Sequence, residues 1–242
     1  TERVQCRVRF RNFENEENYL SNCGHRDKCT KMIQKSPLSE KFSRKTSISA
    51  TRNAAHIQQI LKKVLPKYGS VLEIGSGTGQ HSVVFAEALP SLKWIPSDAD
   101  NLNFDSINGW RQLAINNTPD TPRLIDASSG NWFFNVNDNI TSIVVINVIH
   151  ISPWSVTKGI LKGAQQILPR GGVLYFYGPF IQDNITTAHS NLAFDNYLKT
   201  ENSSWGLRNL REIESLAQEH SLVLEPVIKM PANNLSVIFK KK

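Results

Sequence analysis

The chain has 242 residues, 40% of them hydrophobic and 20% charged, with a formal net charge of +7. That length suits one α/β domain plus an extension, and no apolar run approaches the roughly 20 residues that span a bilayer or forms a secretory leader. The charge is uneven: residues 1–63 hold 14 Lys/Arg against 6 Asp/Glu, whereas residues 64–242 hold 14 against 15, so the main part has no electrostatic case for binding nucleic acid.

Residues 1–45 are polar, charged and without clear period, and read as a basic N-terminal extension. All three cysteines lie there, at Cys6, Cys23 and Cys29. With His25 they offer a Cys/His set, but no C-x2-C pair anchors it and the spacing matches no common zinc module. Free thiols in a reducing cytoplasm, and no metal, are the expectation.

Order should begin near Ser47, and residues 46–242 read as one domain. Ala54, Ile57, Ile60, Leu61, Val64 and Leu65 recur at helical spacing, and Pro66 ends that helix. A strand over 71–75, a helix over 80–89 and a strand over 93–97 follow. The spacing of Ile107, Trp110, Leu113 and Ala114 predicts a helix over 102–116 with those residues inward. Next come a short strand at 122–125, an apolar strand at 142–148, a helix over 156–168 ended by Pro169, and a strand at 173–177. Helices are expected over 187–199 and from Asn209, where Glu212 stands in the capping-box position. Two late strands, 222–229 and 234–240, are joined by the turn Met230-Pro231-Ala232-Asn233.

Strands alternating with helices imply a mostly parallel sheet with helices on both faces. The short final turn permits only antiparallel pairing, so the last strand should run against the rest. The expected fold is therefore α/β: Rossmann-like, of the class I methyltransferase plan, with seven strands and an antiparallel last strand.

The run Val71-Leu72-Glu73-Ile74-Gly75-Ser76-Gly77-Thr78-Gly79 carries the functional signal. Apolar residues lead into three alternating glycines and then a helix, so a ligand can lie against bare backbone at a helix N-terminus. Asp98 closes the next strand, in the position of a ribose-reading acid. A dinucleotide site would want G-x-G-x-x-G, but Gln80 occupies the last glycine position, and Glu73 would repel a pyrophosphate. Glu73 could instead receive an ammonium. These features favour S-adenosylmethionine (SAM), with Gly75, Ser76, Gly77, Thr78 and Gly79 at its methionine end and Asp98 at the ribose.

Ligands in such sheets sit beyond the carboxyl ends of the strands, which nominates the remaining site residues. Asp126 could accept from the adenine amino group, or serve as an ordinary turn residue. Asn147 and His150 follow the fourth strand, where an acceptor would meet the sulfonium. Asn147 could orient an acceptor and touch the cofactor, and His150 could take a proton, since its reference pKa lies near neutrality. Trp154 could face the sulfonium or cap the sheet, and Tyr177 and Phe180 could wall an acceptor pocket. Asn191 and Arg208 are further candidates for acceptor binding. His150 and Trp154 read almost equally well as structural groups, and methyl transfer can proceed by positioning alone.

With these residues in hand, the chain resembles the methyltransferase-like family called domain of unknown function 938, from about Ser49 to Phe239. The matching segments are Arg52-Asn53, Val71 to His81, Pro96-Ser97-Asp98, Asn147 to Trp154, Tyr177-Gly178-Pro179-Phe180, Ser190-Asn191 with Phe194-Asp195, Trp205 to Arg208, and Met230 to Ser236. The resemblance implies a SAM-binding fold and adds Arg52 and Asn53 to the cofactor residues. His56 stands where that family pattern has a proline, and residues 1–45 have no counterpart in it. The expected activity is methyl transfer from SAM to a small-molecule or protein acceptor. The alternatives are a SAM-binding regulatory protein without catalysis, and an RNA methyltransferase recruited by the basic extension.

Overall fold

The computed structural model describes residues 44–242, so the Cys6, Cys23, His25 and Cys29 set and most of the basic extension lie outside the described residues. Helix α1 (Ile48–Val64) starts at Ser47, whose Oγ accepts from the Ala50 N–H. It stops at Leu65 because the following Pro66 forces an extended backbone on the residue before it. Ile57 and Leu61, one turn apart, are its fully buried stripe. Arg52, Asn53 and His56 lie inside this helix.

The strands and helices then alternate as β1 (Gly69–Ile74), α2 (Gln80–Ala88), β2 (Leu92–Asp98), α3 (Phe104–Arg111), β3 (Arg123–Leu124), β4 (Ile140–Ile146), α4 (Trp154–Ile167) and β5 (Val173–Gly178). They are followed by β6 (Phe180–Ile181), α5 (His189–Glu201), β7 (Arg208–Asn209), α6 (Leu210–Glu219), β8 (Leu222–Leu224), β9 (Ile228–Met230) and β10 (Asn234–Lys241). The main sheet has the order β3-β2-β1-β4-β5-β10-β8, with β9 also paired to β10. β10 runs antiparallel to β5, β8 and β9, and the other pairings are parallel. This is the Rossmann-like class I methyltransferase fold expected from the sequence.

Two elements depart from expectation. The strand expected over 222–229 is broken at Glu225–Val227 into β8 and β9, which raises the strand count of the sheet to eight. Pro226 has no N–H to give to the ladder, although the Glu225 N–H still reaches the Ile238 carbonyl at 2.9 Å. The helix expected over 102–116 spans only Phe104–Arg111. Ile107 is buried, but Leu113 is exposed, and Trp110 is half-buried because its indole N–H donates to the Lys45 carbonyl at 2.8 Å.

Strand alternation sorts the core into two layers. On β5, Leu174 and Phe176 join α4 and α6 on one face, while Val173, Tyr175 and Tyr177 join α1 and α2 on the other. The sheet order reverses between β1 and β4, so a crevice opens beyond their carboxyl ends. The glycine loop and Asn147 follow β1 and β4 directly, and Asp98 ends the neighbouring β2. Among the described residues no helix is long and apolar enough to cross a membrane, and no group of three His, Cys, Asp or Glu side chains is placed to hold a metal.

Candidate active site

The loop from β1 to α2 carries three positive φ angles, at Gly75, Gly77 and Gly79. The three glycines are needed for different reasons. A Cβ on Gly75 would lie 2.6 Å from Val148 Cγ2, and one on Gly79 would lie 2.6 Å from the Ile107 backbone. A Cβ on Gly77 would meet nothing within 4 Å, so this glycine leaves open space above the loop. Buried Ser76 fixes the loop to β2: its N–H donates to the Ser97 carbonyl at 2.8 Å, and its hydroxyl accepts from the Ser97 N–H at 3.1 Å.

Asp98 ends β2 beside that open space. One carboxylate oxygen accepts from the Gly77 N–H and the other from the Ala99 N–H, both at 2.9 Å. The carboxylate is thereby aimed, while its remaining lone pairs stay free for ligand hydroxyls. The space over Gly77, the oriented acid and the N-terminus of α2 fit a SAM nucleoside and its carboxylate.

Glu73 is placed differently from the ammonium-facing role expected of it. It is 2% exposed, and its Oε2 accepts from Ser82 Oγ at 2.5 Å and from Trp94 Nε1 at 2.8 Å. Burial, reinforced by the charge of Asp98, pushes its pKa up against the lowering effect of those hydrogen bonds. Glu73 thus ties β1, α2 and β2 together beneath the loop. Asp126 is exposed after β3, with Oδ1 taken by the N–H and hydroxyl of Ser128 in an Asx turn. The structure thus shows the turn role at this position.

Gln80, notable in the sequence only as a missing glycine, has a positive role. Its Oε1 accepts from the Ser47 N–H and from Thr78 Oγ1, and its Nε2 donates to Thr51 Oγ1 at 3.2 Å. His81 Nε2 pairs with the Ala50 carbonyl at 3.1 Å, and its ring stacks on Phe85. Burial lowers the His81 pKa to about 4, so the ring is neutral at ordinary pH. Further on, the Lys45 N–H donates to Ser106 Oγ, which in turn donates to the Thr78 carbonyl at 2.7 Å. Residues 45–51 are therefore strapped to the glycine loop and its helix. Strap and Gln80 together bring Arg52, exposed, and Asn53, half-buried, to the end of α1 that faces the loop. The strap contacts were not foreseen, because short polar residues scattered at 45, 47 and 51 have no period to betray them.

At the tip of β4, Asn147 adopts the left-handed conformation (φ 59°) and its N–H donates to the Tyr177 carbonyl at 2.8 Å. His150, expected to reach a substrate proton, is 0% exposed, and neither ring nitrogen has a partner. Its ring meets Phe180 edge-on at 5.0 Å and lies directly against Gly178, where a Cβ would come 2.5 Å from Nε2 and 3.0 Å from Asn147 Oδ1. Burial, and then the charge of Arg208, lower its pKa to about 3. The ring is a neutral wedge behind Asn147, poorly suited to be a base.

Arg208 is also placed differently from a substrate-binding residue. Its Nε donates to the Ile149 carbonyl at 2.9 Å, and its Nη2 donates to the carbonyls of Ser152 and Ser204 at 2.5 and 2.9 Å. The guanidinium also lies 5.7 Å from the Trp154 ring centre, on the half-buried first residue of α4. Asp195 accepts from the Leu207 N–H and pairs with Lys199, and the Gly206 N–H donates to the His150 carbonyl. The 205–208 segment thus clamps the loop that carries Asn147 and His150. Tyr177 and Phe180 are buried at the tip of β5, and Asn191, on α5, donates to the Asn233 carbonyl at 3.0 Å.

The fold recurs in solved methyltransferases of low sequence identity. Human N-acetylserotonin methyltransferase, in a structure with SAM, superposes with a TM-score of 0.64 at 11% identity, over 80% of this chain and 52% of that one. CalO1, a methyltransferase in calicheamicin biosynthesis solved in its SAH-bound form, gives 0.61 at 17%, over 80% and 55%. An O-methyltransferase family protein from Burkholderia thailandensis gives 0.62 at 12%, over 80% and 57%. This chain spans little more than half the length of each. The model of one sequence family, described as a protein of unknown function (DUF938), matches residues 44–241, and the chain belongs to that family.

Proposed function

We propose that the chain is a SAM-dependent methyltransferase acting on a small acceptor. The observation that carries this reading is the pairing of Gly77 with Asp98: open space over a backbone N–H, and a carboxylate aimed by that same N–H. The solved relatives of this fold that are named for SAM or SAH support it. When bound, SAM supplies a methyl carbon on a sulfonium; the acceptor's lone pair forms the new bond as the carbon–sulfur pair returns to sulfur, and the acceptor's proton passes to solvent.

The residues of the chain bind and align. The glycine loop and the N-terminus of α2 receive the amino-acid end, with Arg52 and Asn53 above it. Asp98 accepts from the ribose hydroxyls, and Asp126 is available to the adenine amino group. Asn147, held by Tyr177 and backed by His150, presents its amide at the tip of β4. Alignment of donor, methyl and acceptor is the main source of rate in this reading, which the burial of His150 and its pKa, lowered to about 3, support. The test is incubation with methyl-labelled SAM and cell extract, followed by separation of small-molecule, protein and RNA fractions. Label in the small-molecule fraction, lost in Asp98→Ala, is expected. Absence of SAM binding by calorimetry would remove the reading, and label confined to RNA would replace it with the RNA methyltransferase alternative.

A further inference from the structure

The tip of the sheet beyond β5 holds a cavity that the donor side does not use. About 210 Å³ in volume, it lies between Phe180, the 182–188 segment, the first turn of α5 and the β9–β10 turn. Its wall is rich in neutral polar groups, with Gln182, Thr186, Thr187, Asn191, Asn233 and Asn234. The one charged side chain lining it is Lys229, exposed and without an ion pair among the described residues. Among the described residues, no carboxylate lines it.

A further observation agrees with a ligand that accepts hydrogen bonds. Helix α5 opens at this cavity with Ala188 as its cap, so no side chain satisfies its first N–H groups, and its first turn carries no acid. The volume falls below the range of about 300–1,000 Å³ usual for drug-sized ligands. A single cation suits a monoanion better than a phosphate, which more often meets arginine forks. The cavity also adjoins the reacting centre, because Phe180 touches His150, and Gly178 lies between His150 and Asn147.

We propose that this cavity holds the methyl acceptor, and that the acceptor is a small organic acid. Its carboxylate lies at the end formed by Lys229 and the α5 N-terminus, and its methylated hydroxyl oxygen lies at the Phe180–Gly178 end beside Asn147. The carboxylate itself is not methylated, so the product keeps its negative charge. This inference rests on the methyl-transfer reading above.

The experiment uses the full chain with methyl-labelled SAM and the small-molecule fraction of a cell extract. The labelled products are passed over an anion exchanger at neutral pH. Retention of the label, with release by salt, is expected. Lys229→Met, a change on an exposed rim, should lower labelling about tenfold at limiting extract, the low end for a hydrogen bond to a charged group. Labelling should recover at high extract, and the SAM dissociation constant should stay unchanged. Label in the unretained fraction overturns the proposal while leaving methyl transfer intact. Unaltered labelling by Lys229→Met at limiting extract also overturns it. A protein that binds SAM but labels nothing in any fraction removes the methyl-transfer reading, and this inference with it.

Discussion

Replacing Gly77 by alanine separates the cost of folding the loop from the cost of filling the donor site. The residue sits at φ 55°, a left-handed conformation that costs an L-residue roughly 1–2 kcal/mol. The added methyl meets nothing within 4 Å, so no steric charge is added to that figure. For a domain of this size each kcal/mol moves the melting temperature by about 2–4 °C, so the unliganded variant should melt about 2–8 °C lower. The methyl nevertheless occupies the space assigned to the ligand. SAM affinity, measured by titration calorimetry, should therefore fall by an order of magnitude or more. Gly79→Ala is the control: it shares the positive φ (85°) and adds a 2.6 Å approach to the Ile107 backbone, so it should cost clearly more stability. If Gly77→Ala binds SAM as tightly as the parent, the ligand does not lie on that face of the loop. If the two alanine variants melt alike, the space above Gly77 is not open as described.

If Asp98 accepts from the ribose hydroxyls as proposed, Asp98→Ala removes two hydrogen bonds to a charged group, each worth about 1.5–3 kcal/mol, so SAM affinity by calorimetry should fall roughly 100-fold or more. His150→Leu should change the pH dependence of stability. The parent ring titrates near 6.5 when unfolded and at about 3 when folded. The unfolded chain therefore binds one more proton between those values, and the ring's contribution is present above pH 6.5 and lost as the pH falls toward 3. Removing it should flatten the stability slope between pH 5 and 6 by about 1.4 kcal/mol per unit, read from denaturant melts, whereas an unchanged slope would mean the ring is charged when folded. Arg208→Met leaves the Ile149 and Ser152 carbonyls without their donor. Amide exchange should accelerate across residues 147–153, with SAM affinity nearly kept, if the arginine acts as a clamp.

Much of this fold was legible because its strands and helices have strong periods. The Ile/Val run of β4, the 3.6-residue stripe of α1 and the short turn before β10 each point to one structure. Pro226 was visible too, but whether a proline bends, ends or splits an edge strand depends on the neighbouring ladder, which one sequence does not display. At the candidate site, the left-handed glycine loop and the place of Asp98 at the end of β2 could be read because backbone conformation and spacing demand them. The tasks of Glu73, His150 and Arg208 could not. Each is a polar side chain at a strand or helix end, and only packing decides whether it faces a ligand or a carbonyl. Glu73 found Ser82 and Trp94, Arg208 found three carbonyls, and His150 was sealed behind Gly178. The cavity at Lys229 left no trace in the sequence, since its wall is assembled from four separate segments.

The strap over the glycine loop also bears on how the chain comes to order. Lys45 is held by Ser106, 61 positions later, and by Trp110, 65 positions later, while Ser47 and Thr51 are held by Gln80. This stretch leaves the ribosome before any of its partners exists. It is synthesised early yet fixed only after β1, α2 and α3 have formed, and closing such long loops carries an entropic cost that α1 alone cannot offset. A shortened chain beginning at α1 would keep both hydrophobic layers and still melt as a folded protein. It would lack the Lys45 and Ser47 contacts that hold Thr78 and Gln80. Trimming the N-terminus should thus leave a folded domain with a slack glycine loop, because the contacts of Lys45 and Ser47 would be lost.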